Sequence, residues 1–454
     1  MSHPASIPGS VAANLLEPIN QLLPQCHLLR PCPALPDETW IHPGLTRVLF
    51  EHPSGRAFLQ ENAFSFPHCP PLANYFESLK STRRLKLLVE LNGLLRQDIA
   101  RTLPDALGAY PELADFDLYA GDGHWHGAAA HDAPQDGKKY AVGHFYALDL
   151  RRHTLSHLAL GQDKHEHDVH VLKRLGAEIL RQGAPKGRKV LYAWDKAVID
   201  FRAWHAWKQS HGIYCLSMEK ENMKLEVMGQ PEWDRNDPVN AGIQSVELVA
   251  GQAGVLLRRI AYIEPITGTE YRFITNEMKL PPGLVAFLYK LRWDVEKVFD
   301  QLKNKLNEKK AWASSREAKW AQANLICLLH NLLQIVEEKL RLQGIKNQAE
   351  LARKTKVLAK AQAAALAAGR TLPACVTALQ RLTQTSVKLL RWLRSGFKER
   401  LAWDAATPRL RVLYALLEPR FSDTVQLQCL SPSISGNGVE ELGSQDSVKS
   451  PEAR

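Results

Sequence analysis

An α/β fold is predicted, built on a mixed sheet with a β-rich insertion and helical regions at both ends. Three observations predict it. Strand-like runs at residues 116–122, 140–149, 154–160, 190–195 and 213–218 alternate, from the third onward, with helical patterns at 168–182 and 198–210. The order β-β-β-α-β-α-β belongs to a mixed sheet flanked by helices. Residues 221–280 change texture: short runs at 245–249, 255–263 and 271–275 between Gly, Asn and Pro turns suggest a small antiparallel unit. Beyond both ends the apolar residues recur with helical spacing.

Residues 1–75, rich in Pro and turn formers, read as a loosely built helical start. A helix follows at 75–103, with Leu79, Leu85, Leu88, Leu91, Leu94 and Leu95 along one side and Lys80, Arg83, Arg84, Lys86, Arg96 and Arg101 around the rest. That basic face is as consistent with lying on DNA as with being solvated. The run 116–122 ends in Gly-Asp-Gly, and Gly183 closes the helix expected at 168–182. After the insertion, Pro281-Pro282-Gly283 leads into a helix over 288–306, and further helices are expected at 312–342, 348–368, 375–393 and 408–417. Residues 422–454, rich in Ser and Gly with a net charge of −3, are expected to be disordered.

A chain of 454 residues is long enough for several modules. The net charge of +10 and pI near 9.2 suit a polyanionic partner. The charge is uneven: residues 312–421 hold 19 Lys and Arg against 7 Asp and Glu. Nucleic acid is the expected partner. The seven cysteines are scattered and form no CxxC pair, which points to a reducing, cytoplasmic compartment. No secretory signal is visible, and the longest apolar run, near 325–336, is broken by His330, Asn331 and Gln334, so no membrane span is expected.

The chemistry concentrates in LYKLRWDVEKVFDQLKNKL, residues 288–306. At about 100° per residue, Tyr289, Arg292, Glu296 and Lys303 fall at roughly 0°, 300°, 340° and 320°, one narrow polar strip. Leu288, Leu291, Val295, Phe299, Leu302 and Leu306 form the apolar stripe beside it. A carboxylate flanked by a phenol, a guanidinium and an ammonium suits phosphodiester chemistry, the acid holding a cation while Arg and Lys grip phosphate. Asp122 and Asp195 stand at the ends of two strand-like runs, where open α/β sheets place ligands. With Glu296 they make a trio able to hold two Mg²⁺ ions about 3.5–4 Å apart. Asp117, Asp149 and Asp200 compete for these roles, but Asp117 is on the opposite strand face from Asp122 and Asp200 is expected inside a helix.

These residues resemble a DDE transposase of the bacterial insertion-sequence type with a YREK signature. The matching positions are Asp122 in GDG, Asp195 in WDKAVIDF, and Tyr289, Arg292, Glu296 and Lys303, with FITN at 273–276 and RW at 292–293. The likeness spans about residues 110–335; Lys196 stands where relatives commonly carry arginine. It implies a ribonuclease-H-like catalytic core at 109–220 and 281–335, interrupted by a β-rich insertion at 221–280. It also implies catalytic and metal-holding roles for Asp122, Asp195 and Glu296, with DNA contacts at Tyr289, Arg292 and Lys303. Two Mg²⁺ ions are expected, with Mn²⁺ as a substitute. The insertion of relatives can carry a tryptophan that stacks on a flipped base; Trp233, the sole tryptophan in 213–285, is the candidate. The expected activity is binding of terminal inverted repeats, cleavage of the ends and joining to target DNA, with a homodimer joining two ends. Residues 1–108 are expected to form a helical DNA-binding region, and 336–421 a basic helical one. A related nuclease or resolvase is the alternative enzyme, and a domesticated DNA-binding protein the non-catalytic one. Nine histidines lie between 124 and 170. The run at 165–170 is better read as a loop entering a helix capped by Asp168 than as a zinc site, and His124 and His126 adjoin Asp122.

Overall fold

Five strands build the part of the fold that presents the acids: β1 (Phe116–His126), β2 (Val142–Asp149), β3 (Leu155–Leu160), β4 (Lys189–Trp194) and β5 (Ile213–Met218). They stand in the order β3-β2-β1-β4-β5. The pairs β1–β4 and β4–β5 are parallel, while β2 runs antiparallel to both β1 and β3. This is the mixed ribonuclease-H-like sheet that was expected. The chain is described by a computed structural model covering residues 9–27, 35–50, 52, 54–63, 72–134, 137–161, 166, 168–251, 254–306, 310–377 and 385–415.

The insertion continues this sheet. Strands β6 (Glu226–Gly229), β7 (Ile243–Ala250), β8 (Leu256–Ile263) and β9 (Glu270–Thr275) extend it to nine, β9 pairing antiparallel with β5. An open edge on β5 would leave backbone donors and acceptors unpaired, and β9 covers it. Asn276, the last residue of the FITN run, locks the junction. Its side chain accepts from the Cys215 N–H at 2.7 Å and donates to the Trp204 carbonyl at 2.9 Å.

Helices cover the sheet. Before it come α1 (Val11–Leu22), α2 (Asp37–Leu49), α3 (Gly55–Ala63), α4 (Leu72–Ser78) and α5 (Thr82–Thr102). Between strands are α6 (Asp168–Lys173), α7 (Ala177–Arg181) and α8 (Phe201–His211). After it come α9 (Pro282–Lys305), α10 (Arg316–Leu342), α11 (Gln348–Ala367), α12 (Ala374–Thr377), α13 (Val387–Lys398) and α14 (Trp403–Ala415). Several predicted helices are shorter or split, for one recurring reason. Ser81, Ser315 and Ser386 turn their hydroxyls onto the N–H groups of Arg84, Ala318 and Leu389, starting new helices where the apolar period ran on. Gly176, extended at ψ 149°, breaks the helix expected at 168–182. Asp200 caps α8 through the Ala203 N–H and so precedes the helix it was expected to lie within.

One hydrophobic cluster runs from Val11 of α1 through α5, α9 and α10 to Tyr414 of α14, so the two terminal helical regions share a core with the site helix. The polar residues that interrupt the apolar run of α10 are part of that packing. Asn331 accepts from Leu155 N–H and donates to Asn92 of α5 and to the Leu155 carbonyl, all within 3.0 Å. His330 bonds the His153 carbonyl at 2.8 Å. Among the described residues no helix is long and apolar enough to cross a membrane. The basic face expected on α5 is largely consumed inside the fold. Arg83 pairs with Asp37, Arg84 is buried against Trp40 and the Leu35 carbonyl, and Arg96 donates to Gln182. Lys86 and Arg101 are left exposed. The tail expected to be disordered, 422–454, lies outside the described residues.

Candidate active site

The two aspartates arrive side by side through sheet register. Gly121 pairs with Trp194 as the last residues joining β1 to β4, so Asp122 and Asp195 follow on neighbouring strands about 5 Å apart. Gly121 is required by its neighbour: a Cβ there would come within 2.0 Å of the Trp194 ring. The carboxylate of Asp195 makes no cap to the turn that follows it. The competitors are all otherwise engaged. Asp117 pairs with Arg188 at 2.8 Å, Asp149 accepts from the Arg151 N–H, and Asp200 caps α8.

Helix α9 brings the remaining groups. It crosses β1, β2, β4 and β5, with Tyr289 against Phe273 and Phe299 against Tyr146 and His124. Arg292 then spans the site, donating to Glu296 at 2.9 Å and to Asp122 at 3.4 Å. Its side chain is 4% exposed, against 37% for Glu296. The expectation of an arginine free to grip phosphate is therefore corrected: the helix leans its polar strip into the sheet, and Arg292 and Tyr289 are buried. Lys303, about three turns beyond Arg292, stays exposed at the surface.

The electrostatics follow from this crowding. Burial pushes the Asp122 carboxyl up to about 7, with repulsion from Glu296 and Asp195 adding to it and Arg292 and the Gly123 N–H opposing it. Glu296 is raised by burial too, against the pull of Arg292. Burial lowers Arg292, but its neighbours Tyr289, Asp122, Glu296 and Asp195 together hold it above its ordinary value. Burial pushes the Tyr289 phenol up to about 12. It therefore stays protonated near neutrality, a hydroxyl beside the acids.

Three converging carboxylates, two of them raised by burial and repulsion, are a donor set that suits a hard divalent cation. Among the described residues no three carboxylate, imidazole or thiol groups stand at the spacing of a formed ion cage. Arg292 lies between Asp122 and Glu296, its guanidinium supplying the positive charge there. A cation must compete with the Asp122 proton, so its affinity should rise up to about tenfold per pH unit below pH 7 and level off above it. Calorimetric Mg²⁺ titrations on either side of neutrality would read this. The same proton stabilises the metal-free fold at low pH, a contribution lost as pH rises through about 7.

Beside Asp122 is a cluster that the sequence shows only in fragments. His126 stacks on His144 at 3.9 Å and bonds the Tyr146 hydroxyl at 3.0 Å, and His144 meets His157 at 3.2 Å. The period-2 pattern of His124/His126 and His144/Tyr146 placed each pair on one strand face; their meeting needed the β1–β2 register. Burial holds His144 well below the usual imidazole range. His165, His167 and the side chain of Asp168, the expected cap, lie outside what is described. Trp233 is half-buried against the main core, with the Arg235 guanidinium 5.3 Å from its ring. Two other indoles are more open and nearer the acids: Trp125, three residues past Asp122, and Trp293, three before Glu296.

Residues 115–332, a little under half of the chain, match the family model described as transposase DDE domain. Asp122, Asp195 and Glu296 all fall within the matched residues. No curated protein matches the sequence. A solved structure, the cryo-EM structure of a piggyBac transposase synaptic complex with hairpin DNA, aligns at TM-score 0.35 and 12% identity, over 93% of this chain and 87% of that one.

Proposed function

We propose that the protein is a transposase of the bacterial insertion-sequence type with a YREK signature. In this reading it binds terminal inverted repeats, cleaves the element ends and joins them to target DNA in the cytoplasm. The observation that carries it is the convergence of Asp122, Asp195 and Glu296 on Arg292 within a transposase DDE domain. The net charge of +10 supports DNA as the partner. The three carboxylates are the groups that would hold two Mg²⁺ ions, or Mn²⁺ in their place; such ions activate the attacking water or 3′-hydroxyl and offset charge on the leaving oxygen. Arg292 keeps Asp122 and Glu296 facing one another, and Tyr289 offers its hydroxyl at the same point. Trp233 remains the candidate for base stacking in the insertion.

Within this reading, residues 1–108 contribute end recognition, 109–220 with 281–335 form the catalytic core around the insertion at 221–280, and 336–421 add a second basic surface. A homodimer is the unit that joins two ends. The direct test is Mg²⁺-dependent cleavage of duplexes carrying the inverted repeats that bracket the gene. Cleavage without joining would favour a nuclease or resolvase. Specific binding without cleavage would favour a domesticated DNA-binding protein.

Lys303→Ala separates phosphate contact from folding. The side chain is exposed, so the melting temperature should not move, while end-complex assembly or cleavage should fall roughly tenfold with the loss of one charged phosphate contact. Unchanged activity would return Lys303 to the solvated surface.

A further inference from the structure

Helix α11 is unlike the other long helices. Along it only Glu350, Lys354, Leu358, Ala361 and Ala365 are drawn toward the protein, and the other described side chains are exposed. With Glu350 at 0°, that seam spans about 0–80°, while Arg353, Lys356 and Lys360 fall at about 300°, 240° and 280°. The three form one outward strip. Its neighbours are Ala352, Ala363, Ala364 and Ala367, which leave a flat approach around the charges. A solvated surface helix ordinarily mixes both signs of charge. Here the sole acid is Glu350, on the seam and paired to Arg353 at 2.6 Å.

Position adds to composition. Lys354 is within electrostatic reach of Lys297 and Asp294 of α9, the neighbours of Glu296. Beyond the helix end, Arg370 donates to the Pro265 carbonyl at 3.1 Å. The helix thus lies within electrostatic reach of α9 at one point, and the chain beyond its end is bonded to the β8–β9 turn at another. The three cations are spaced about 4.5 and 6 Å along the axis, close enough to act on one stretch of duplex.

We propose that Arg353, Lys356 and Lys360 form a rail for the phosphates of double-stranded DNA on the outward face of α11, an inference that rests on the transposase reading. The contact is with backbone charge, so it is blind to sequence.

The test is the salt dependence of binding by the full chain, without divalent metal, to short duplexes of unrelated sequence. In the R353A/K356A/K360A variant the slope of log affinity against log salt should fall by about 2–3. Affinity near physiological salt should drop roughly tenfold to a hundredfold for every duplex alike. Alanine is the best helix former and all three side chains are exposed, so circular dichroism should be unchanged. Lys186→Ala with Lys189→Ala, at the opposite end of β4 from Asp195, is the control and should leave the slope unchanged. An unchanged slope in the triple variant, or an equal fall per charge in the control, overturns the rail. Mg²⁺-dependent cleavage by the wild-type chain is scored separately. Cleavage with an unaltered slope removes the rail and leaves the transposase reading; a lowered slope without cleavage does the reverse.

Discussion

Asp122→Asn, Asp195→Asn and Glu296→Gln are each expected to abolish metal-dependent DNA cleavage and strand transfer together, by several orders of magnitude. Each change keeps side-chain size and removes one negative charge from a site where three carboxylates converge. An amide is a weaker ligand for a hard cation and cannot bridge two ions. Calorimetry should show weakened Mg²⁺ binding in all three. DNA binding without metal should persist or rise slightly, because a charge that repels phosphate is gone. Asp200→Asn is the control: asparagine caps a helix as well as aspartate does, and Asp200 serves α8. Robust Mg²⁺-dependent cleavage by any trio variant would falsify the role of that residue.

Arg292→Ala should act on stability and on chemistry in opposite dependence on metal. The guanidinium is buried between Asp122 and Glu296. Taking away one partner of a buried charge group costs about 3–5 kcal/mol. Less should be lost at acid pH, where Asp122 carries a proton and needs no partner. The metal-free variant should therefore melt well below the wild type at pH 8, and Mg²⁺ should restore much of the difference. Cleavage should still fall by about 10²–10³-fold, the usual cost of losing a preorganised cation or donor at a reacting centre. Arg292→Lys should rescue only in part, because one ammonium cannot span two carboxylates as a planar fork does. Equal melting curves for Arg292→Ala and wild type, with and without Mg²⁺, would show that the arginine does not hold the acids.

How far the site was legible differs residue by residue. Tyr289, Arg292 and Glu296 could be placed on one strip from helical period alone, since spacings of three and four residues return to the same face. Asp195 was legible as a strand end, because an apolar run that stops at an aspartate before a turn marks the edge of a sheet; Asp122 was expected at another, but β1 runs on past it to His126 against β2, and only its pairing with β4 ends there. Period could not say how deep the strip would lie. Arg292, expected to grip phosphate, is buried, while Lys303, at nearly the same angle, stays exposed because α9 has passed the carboxylates by that point. The helix on 75–103 was legible as an amphipathic segment, but the partners of its arginines, Asp37 and Gln182, are about 46 and 86 residues away in the chain.

Local pattern by itself determined the element types, the mixed sheet and the polar strip of α9, and it marked Asp122, Asp195 and Glu296 as candidates. These depend on short-range geometry: side chains alternate on a strand and recur every 3.6 residues on a helix. Tertiary structure alone decided that β9 joins β5 to make one nine-stranded sheet, that Gly121 must make room for Trp194, and that Arg292 stands between Asp122 and Glu296. Each of these is a contact between segments remote in sequence. Such contacts are set by register, packing volume and the cost of burying charge without a partner, none of which leaves a periodic trace in the chain.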